Sequence, residues 1–211
     1  MTCFVPKKPS SGDRERNAPC HSRRGSGFLR ITGGIHSSRR LEVPPLSGLR
    51  PAQDRVRAAV FSALGNLVPQ SRVLDLFAGT GSYGLEALSR GASSALFIEQ
   101  NNRIAEALRK NLTSLKYDSQ VLESPAEIWI PRGSEASFDL IFLDPPYDQP
   151  SQELSEWKTV AGLHRLLAPG GRVIWEHSRQ STWKATRPLE EVWRREYGQT
   201  CVSFLVHSTG S

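Results

Sequence analysis

Long apolar runs are what this sequence most clearly lacks. No stretch approaches the ~18 consecutive apolar residues of a membrane-spanning helix, and mean hydropathy is −0.40. Cysteine is scarce: Cys3, Cys20 and Cys201 are too few and too scattered for a disulfide framework, which favours a reducing compartment. Cys3, Cys20 and His21 do not have the spacing of a zinc site, so no metal is expected. The first residues lack the roughly 7–15-residue apolar core of a secretory signal. Asp13 and Glu15 also interrupt the basic tract that an organelle transit peptide would need. A cytoplasmic protein is expected.

What is present is a modest basic excess. The 211 residues hold 27 Lys and Arg against 21 Asp and Glu, a net charge of +6. Lys7, Lys8, Arg14, Arg16, Arg23, Arg24 and Arg30 place most of it near the start. Residues 1–27 combine these charges with Pro, Ser and Gly and hardly any large apolar side chain. Such a segment buries too little surface to offset its ordering entropy, so a disordered basic tail is expected. The remaining chain suffices for one sizeable core.

Two short strand-like runs, Phe28–Thr32 and Arg40–Val43, flank Gly33-Gly34 and predict a small hairpin. Pro51 can open a helix, and Val56, Val60, Phe61, Leu64 and Val68 recur at helical spacing. Arg50, Arg55 and Arg57 fall outside that stripe and are expected near solvent. Beyond Pro69, strands and helices alternate, the pattern of an open parallel sheet wrapped on both faces. Strands are expected at Arg72–Leu76, Ala95–Glu99, Gln120–Leu122, Phe138–Leu143, Arg172–Glu176, Trp193–Tyr197 and Thr200–Val206. Helices are expected over Arg103–Leu115, Ala126–Ile130 and Glu153–Leu167. The five tryptophans are spread along the chain and read as packing residues.

The organising stretch is Arg72–Gly84, where an apolar run ends in a glycine-rich turn and a helical pattern begins at once. Gly79, Gly81 and Gly84 fall as G-x-G-x-x-G between strand and helix, the place of a nucleoside cofactor. Gly79 and Gly81 let the backbone turn sharply and approach a ligand, and Gly84 lets the helix pack closely on the strand. Glu99, twenty residues after Gly79, closes the next strand, where an acidic residue commonly takes the two ribose hydroxyls.

The most strand-like run, Phe138–Leu143, empties into Asp144-Pro145-Pro146-Tyr147. The prolines fix the backbone and take the Pro145 carbonyl out of any regular ladder. A carboxylate and an outward carbonyl then stand as neighbouring acceptors beside an aromatic ring. That set suits a planar ligand bearing an exocyclic NH₂: two acceptors for two N–H donors, and a ring to stack on its face.

Val73–Gly84, Glu99 and Asp144–Tyr147 resemble the motifs of S-adenosylmethionine-dependent amino methyltransferases. Arg30–Gly34, Leu49-Arg50-Pro51, Asp54–Arg57, Leu85–Ala92 and Tyr197–Thr200 extend the match. Together they resemble the bacterial family that methylates the N2 amine of a guanine in 16S ribosomal RNA. The resemblance covers about residues 28–207 and implies an α/β, Rossmann-like class I methyltransferase fold. Its sheet would be mostly parallel and seven-stranded, with helices on both faces and a small N-terminal hairpin and helix extension. It divides the chain into the tail, an RNA-binding hairpin and helix over 28–69, and a catalytic domain over 70–208.

The resemblance further implies S-adenosyl-L-methionine as cofactor and 16S rRNA, or an assembling small ribosomal subunit, as partner. A monomer is expected, with no metal and no membrane. Asp75, Phe77, Gly79, Thr80, Gly81, Gly84, Glu99, Gln100 and Ala126 would surround the cofactor. Asp144 and Pro145 would hold the guanine amine, with Pro146 shaping the turn and Tyr147 stacking on the base. Arg30, Arg39, Arg40, Arg50, Arg55 and Arg57 would grip phosphates. The family pattern has Thr where this chain has Ala52, and Glu where it has Ala58. Asp144–Tyr147 alone would also fit an amino methyltransferase acting on another nucleic acid, and two further readings stand beside these. A nicotinamide-dependent dehydrogenase shares the glycine turn but gives Asp144–Tyr147 no role. A non-catalytic RNA-binding protein could keep the fold without the reaction.

Overall fold

The computed structural model describes residues 28–44, 52–145, 158–181 and 184–208. The tail, Arg50, Pro146 and Tyr147 lie outside the described residues.

Seven strands form one sheet: β3 (Arg72–Leu76), β4 (Ser94–Glu99), β5 (Gln120–Glu123), β6 (Phe138–Leu143), β7 (Leu167–Ser178), β8 (Leu189–Tyr197) and β9 (Thr200–His207). Their spatial order is β5-β4-β3-β6-β7-β9-β8. The first five in that order run parallel, and β9 is antiparallel to both β7 and β8. The chain starts at β3, builds outward to β5, then crosses back to β6 on the other side of β3. That reversal is the switch point, and the crevice above it is where open α/β sheets hold ligands.

The helices fall on opposite faces because each carries one apolar stripe. Helices α1 (Ala52–Leu64), α2 (Ser82–Ser89) and α3 (Asn102–Leu115) bury Val60, Phe61, Leu85, Leu108 and Leu112 with Val73 and Phe142 of the sheet. On the other face, Ala126 of α4 (Ala126–Trp129) and Leu163 and Leu166 of α5 (Lys158–Leu166) join Leu74, Ile141 and Val173. Alternate residues of one strand thus supply both cores. Asn101 starts α3 as its N-cap, accepting from the backbone of Arg103 and Ile104.

The expected strand boundaries hold to within a residue or two, with two exceptions. Strand β7 begins at Leu167 rather than Arg172 and absorbs the Pro169-Gly170-Gly171 turn as an irregularity: Phe138 pairs with Leu167, but Leu140 pairs with Arg172. Strand β8 begins four residues earlier than the apolar pattern suggests, at Leu189, with a register shift between Glu191 and Trp193.

The hairpin of β1 (Phe28–Arg30) and β2 (Arg40–Glu42) is present and shares the α1–α3 core through Leu29, Ile31, Leu41 and Val43. It is fastened by Glu86 of α2, which is fully buried. The Glu86 carboxylate accepts from the Thr32 amide and hydroxyl, both at 2.7 Å, from Arg90 at 2.8 Å and from Arg57 at 3.4 Å. Arg57 also bonds Asp54 at 2.9 Å and the Arg30 carbonyl. Arg57 is therefore not a solvent-facing phosphate ligand: it is 2% exposed and engaged by these partners. The hairpin turn docks on the far end of α2, with Ile35 N–H donating to the Ser89 carbonyl at 2.8 Å. That places the turn one helix length, about 12 Å, from the glycine loop.

Candidate active site

The site is built where β3, β4, β6 and β7 end. Phe77, just past β3, holds a left-handed φ of 58°, and Gly79 and Gly81 follow with φ of 55° and 89°. A side chain such as Phe rarely adopts that conformation, so the turn holds a strained backbone. A Cβ placed on Gly79 would meet no protein atom closer than 4.0 Å, so the space before it is open. Gly81 makes the expected sharp turn, and it also admits α3: a Cβ there would lie 2.4 Å from the Leu108 methyl. Gly84 packs as expected, because a Cβ would lie 2.2 Å from the Phe97 ring.

Glu99 reaches back from the end of β4 to this loop. One carboxylate oxygen accepts from the Gly79 N–H at 2.8 Å and the other from the Asn101 N–H at 2.7 Å. The cofactor expected here fits these residues, since Gly79 leaves a cradle that a Cβ would fill and Glu99 is fixed at its rim. Asp75, 2% exposed, accepts from the Gly84 N–H at 2.8 Å. Burial first, and the Glu99 charge after it, pushes its carboxyl up to about 8. Thr80 and Ala126 are buried, while Gln100 is exposed.

Asp144 lies at the end of β6, one residue past Leu143, which pairs with both Leu76 of β3 and Trp175 of β7. It is half-buried, and Pro145 is buried. Burial, followed by the charges of Glu176 and Asp75, raises its carboxyl well above the usual carboxylate range. Glu176 lies alongside on β7 and is 3% exposed. The Tyr83 hydroxyl donates to Glu176 Oε2 at 2.5 Å. The Tyr83 ring stacks on Phe142 at 4.9 Å between centroids, which fixes the hydroxyl. Burial and the charges of Glu176 and Asp144 raise the phenol well above its ordinary value.

The structure thus brings Asp75, Gly79, Glu99 and Asp144 to one crevice. Glu176 and Tyr83 are the residues that sequence reasoning missed. Glu176 closes the strand expected over Arg172–Glu176, although β7 itself runs on to Ser178, and an acidic residue at an expected strand end is the signal that finds it. Among the predicted phosphate ligands, Arg39, Arg40 and Arg55 are exposed. Arg30 is half exposed, with its guanidinium 3.3 Å from Asp54. No group of His, Cys, Asp and Glu among the described residues is arranged to hold a metal, and no described helix is long and apolar enough to cross a membrane.

A family model described as conserved hypothetical protein 95 matches residues 29–206. The chain belongs to this family. Within 130 residues it is 42% identical to ribosomal RNA small subunit methyltransferase D of Escherichia coli (strain K12), a stretch covering 61% of this chain and 64% of that protein. Over 180 residues it is 32% identical to YlbH of Bacillus subtilis (strain 168), whose name assigns it provisionally to the rRNA methyltransferases. That match spans 83% of this chain and 97% of YlbH. The solved structure of Escherichia coli yhhF, provisionally a methyltransferase, superposes with a TM-score of 0.75 at 29% identity, covering 87% of this chain and 100% of that one. This likeness identifies the seven-stranded sheet as the Rossmann-like class I methyltransferase sheet.

Proposed function

We propose that this protein transfers the methyl group of S-adenosylmethionine to the exocyclic N2 amine of a guanine in small-subunit (16S) ribosomal RNA. The observation that carries this reading is the carboxylate of Asp144 at the end of β6, beside the glycine loop at the switch point. The likeness to small subunit methyltransferase D supports the substrate, and that substrate implies a cytoplasmic place of action.

Glu99 holds the ribose of the cofactor, and the open face of Gly79 admits its amino-acid end. When bound, S-adenosylmethionine supplies an electrophilic methyl group. The remaining work falls to the chain. A guanine N2 lone pair is delocalised into the ring and is a poor nucleophile. Asp144 and the Pro145 carbonyl accept its two N–H bonds, which localises the pair and aims it. Asp144, whose carboxyl burial raises well above the usual carboxylate range, also serves as an acceptor for the proton that N2 sheds. A paired guanine cannot reach this crevice, so the base must be unpaired or flipped out. Tyr147 stacks on it, and Arg30, Arg39, Arg40 and Arg55 meet the surrounding phosphates.

Mapping N2-methylguanosines in rRNA from cells lacking the protein identifies the target. On that RNA, Asp144→Ala leaves cofactor binding in place while methyl transfer falls by at least ~100-fold, because the lost alignment acts in the transition state. Replacing the target guanosine by inosine, which has no N2 amine, abolishes transfer. Methylation of inosine at the guanosine rate would show that another atom is the acceptor. A chain that binds RNA but takes up no S-adenosylmethionine in titration would be a non-catalytic scaffold.

A further inference from the structure

We propose that Phe28 and Arg40, on the outer face of the β1–β2 hairpin, form a stacking platform for an unpaired base of the substrate RNA, outside the crevice that takes the target guanine. This rests on the rRNA reading given above and gives the hairpin a contact with a base, beyond the phosphate contacts of its arginines.

Three observations carry it. The hairpin register pairs Leu29 with Leu41, and both are buried. Alternation then turns Phe28, Arg30, Arg40 and the acid Glu42 to the opposite face. There Phe28 is 50% exposed, the one exposed aromatic ring among the described residues, and it belongs to neither core. Apolar surface left in water does not stabilise a fold, so packing gives no reason for a ring at this position.

Secondly, the ring has a cation as its neighbour. The Arg40 guanidinium stands 4.3 Å from the ring centroid, the two side chains being diagonal neighbours across the strands. Arg30 is drawn to Asp54 by a 3.3 Å contact, whereas Arg40 has the ring as its partner. A guanidinium is planar, stacks on flat π faces and keeps N–H donors at its edge for phosphate. Ring and guanidinium together offer what a splayed-out base of single-stranded RNA takes up: a flat surface to stack on, and a cation within reach of its backbone.

Thirdly, the platform is held in place. Asn111 of α3, 3% exposed, clasps Glu42 directly across from Phe28, accepting from the Glu42 N–H at 3.2 Å and donating to its carbonyl at 3.0 Å. Glu86 holds Thr32, just past the other end of β1. A surface fixed at both ends loses less entropy on binding than a mobile one. The guanine that reacts must be unpaired or flipped out, so the RNA around it contains bases without stacking neighbours, and a fixed ring replaces the lost neighbour.

The test measures binding of the full chain to the mapped rRNA fragment across a salt series. Phe28→Ala should weaken binding by about 5-fold or more. The slope of log binding constant against log salt should not change, because a neutral ring displaces no counterions. Phe28→Leu keeps apolar surface but has no π face, and should bind as weakly as Phe28→Ala. Phe28→Trp should bind at least as tightly as the wild type. All three should take up S-adenosylmethionine as the wild type does. Removing single bases from the fragment, with ribose and phosphate left in place, identifies the stacked one. At that position the loss seen with the wild-type protein should disappear in Phe28→Ala. Wild-type RNA affinity in Phe28→Leu overturns the inference, and so does additivity of Phe28→Ala with every abasic position. Unchanged RNA affinity with an altered oligomeric state in Phe28→Ala would assign the ring to a second copy of the chain and overturn it equally. Methyl transfer that persists alongside any of these results would leave the rRNA reading standing. Absence of wild-type binding to the fragment would overturn that reading itself, and this inference with it.

Discussion

Asp75 is a buried acid whose charge the fold works against. Its carboxyl titrates near 8 in the folded protein because burial, reinforced by Glu99, disfavours the anion. In the unfolded chain it titrates at about 3.9. Between those values the folded state keeps a proton that the unfolded state gives up, so the stability it contributes is complete below the lower value and lost as pH rises through the upper one. Asp75→Asn keeps an acceptor for the Gly84 N–H and removes the titration. Denaturant unfolding measured from pH 5 to 9 should therefore show a shallower fall with rising pH in the variant. Parallel curves would mean that Asp75 stays ionised. In the sequence this residue reads as a strand residue before a glycine turn, and only the family resemblance places it beside the cofactor. Its neighbours were legible, since Glu99 announces itself by closing a strand twenty residues after Gly79. The proton was not, because it depends on how completely α2 covers the strand.

The same limit governs whole elements. Helix α1 was legible from its stripe of Val56, Val60, Phe61 and Leu64, all buried as expected. Arg57 stands beside that stripe, and periodicity alone assigns it to solvent. It is buried because Glu86 meets it from 29 residues further along the chain, a pairing that no local pattern contains. Glu86 gathers β1, α1 and α2 through Thr32, Arg57 and Arg90, so losing it strands buried cations and donors. Glu86→Ala should cost about 3–5 kcal/mol of unfolding free energy, the usual penalty for breaking a buried ion pair. Arg55→Ala, on the exposed side of the same helix, should change stability by less than about 0.5 kcal/mol. Equal effects from the two would remove the fastening role of Glu86.

At the scale of the molecule, the described arginines include two populations. Arg57, Arg72 and Arg109 are engaged with carboxylates of the fold, whereas Arg39, Arg40 and Arg55 face outward. Of these two, the second is the one placed to exchange counterions with a nucleic acid. Replacing any one of the three by Ala should lower the slope of log binding constant against log salt by about 0.7–0.9. Binding to the mapped rRNA fragment, followed across a salt series, checks this. A slope unchanged in all three variants would put the RNA on another surface. Composition showed that such a partner was plausible, but not which charges were free to meet it.

The order β7-β9-β8 has a consequence in time. Strand β8 pairs only with β9 in this sheet, so it has no place until β9 lies against β7. The chain therefore cannot complete its sheet in the order it is made. Tyr197 and Thr200 already face each other across a two-residue turn, with Gly198 at φ 65°, so the β8–β9 pair can zip locally, on the ~1–10 μs scale of hairpins. Docking on β7 joins segments far more distant along the chain and is the slower event. Throughout that interval β7 presents a bare hydrogen-bonding edge flanked by Ile174 and Trp175, open to any other strand that arrives first. Refolding becomes a race between the molecule's own hairpin and its neighbours, and dilution decides the winner.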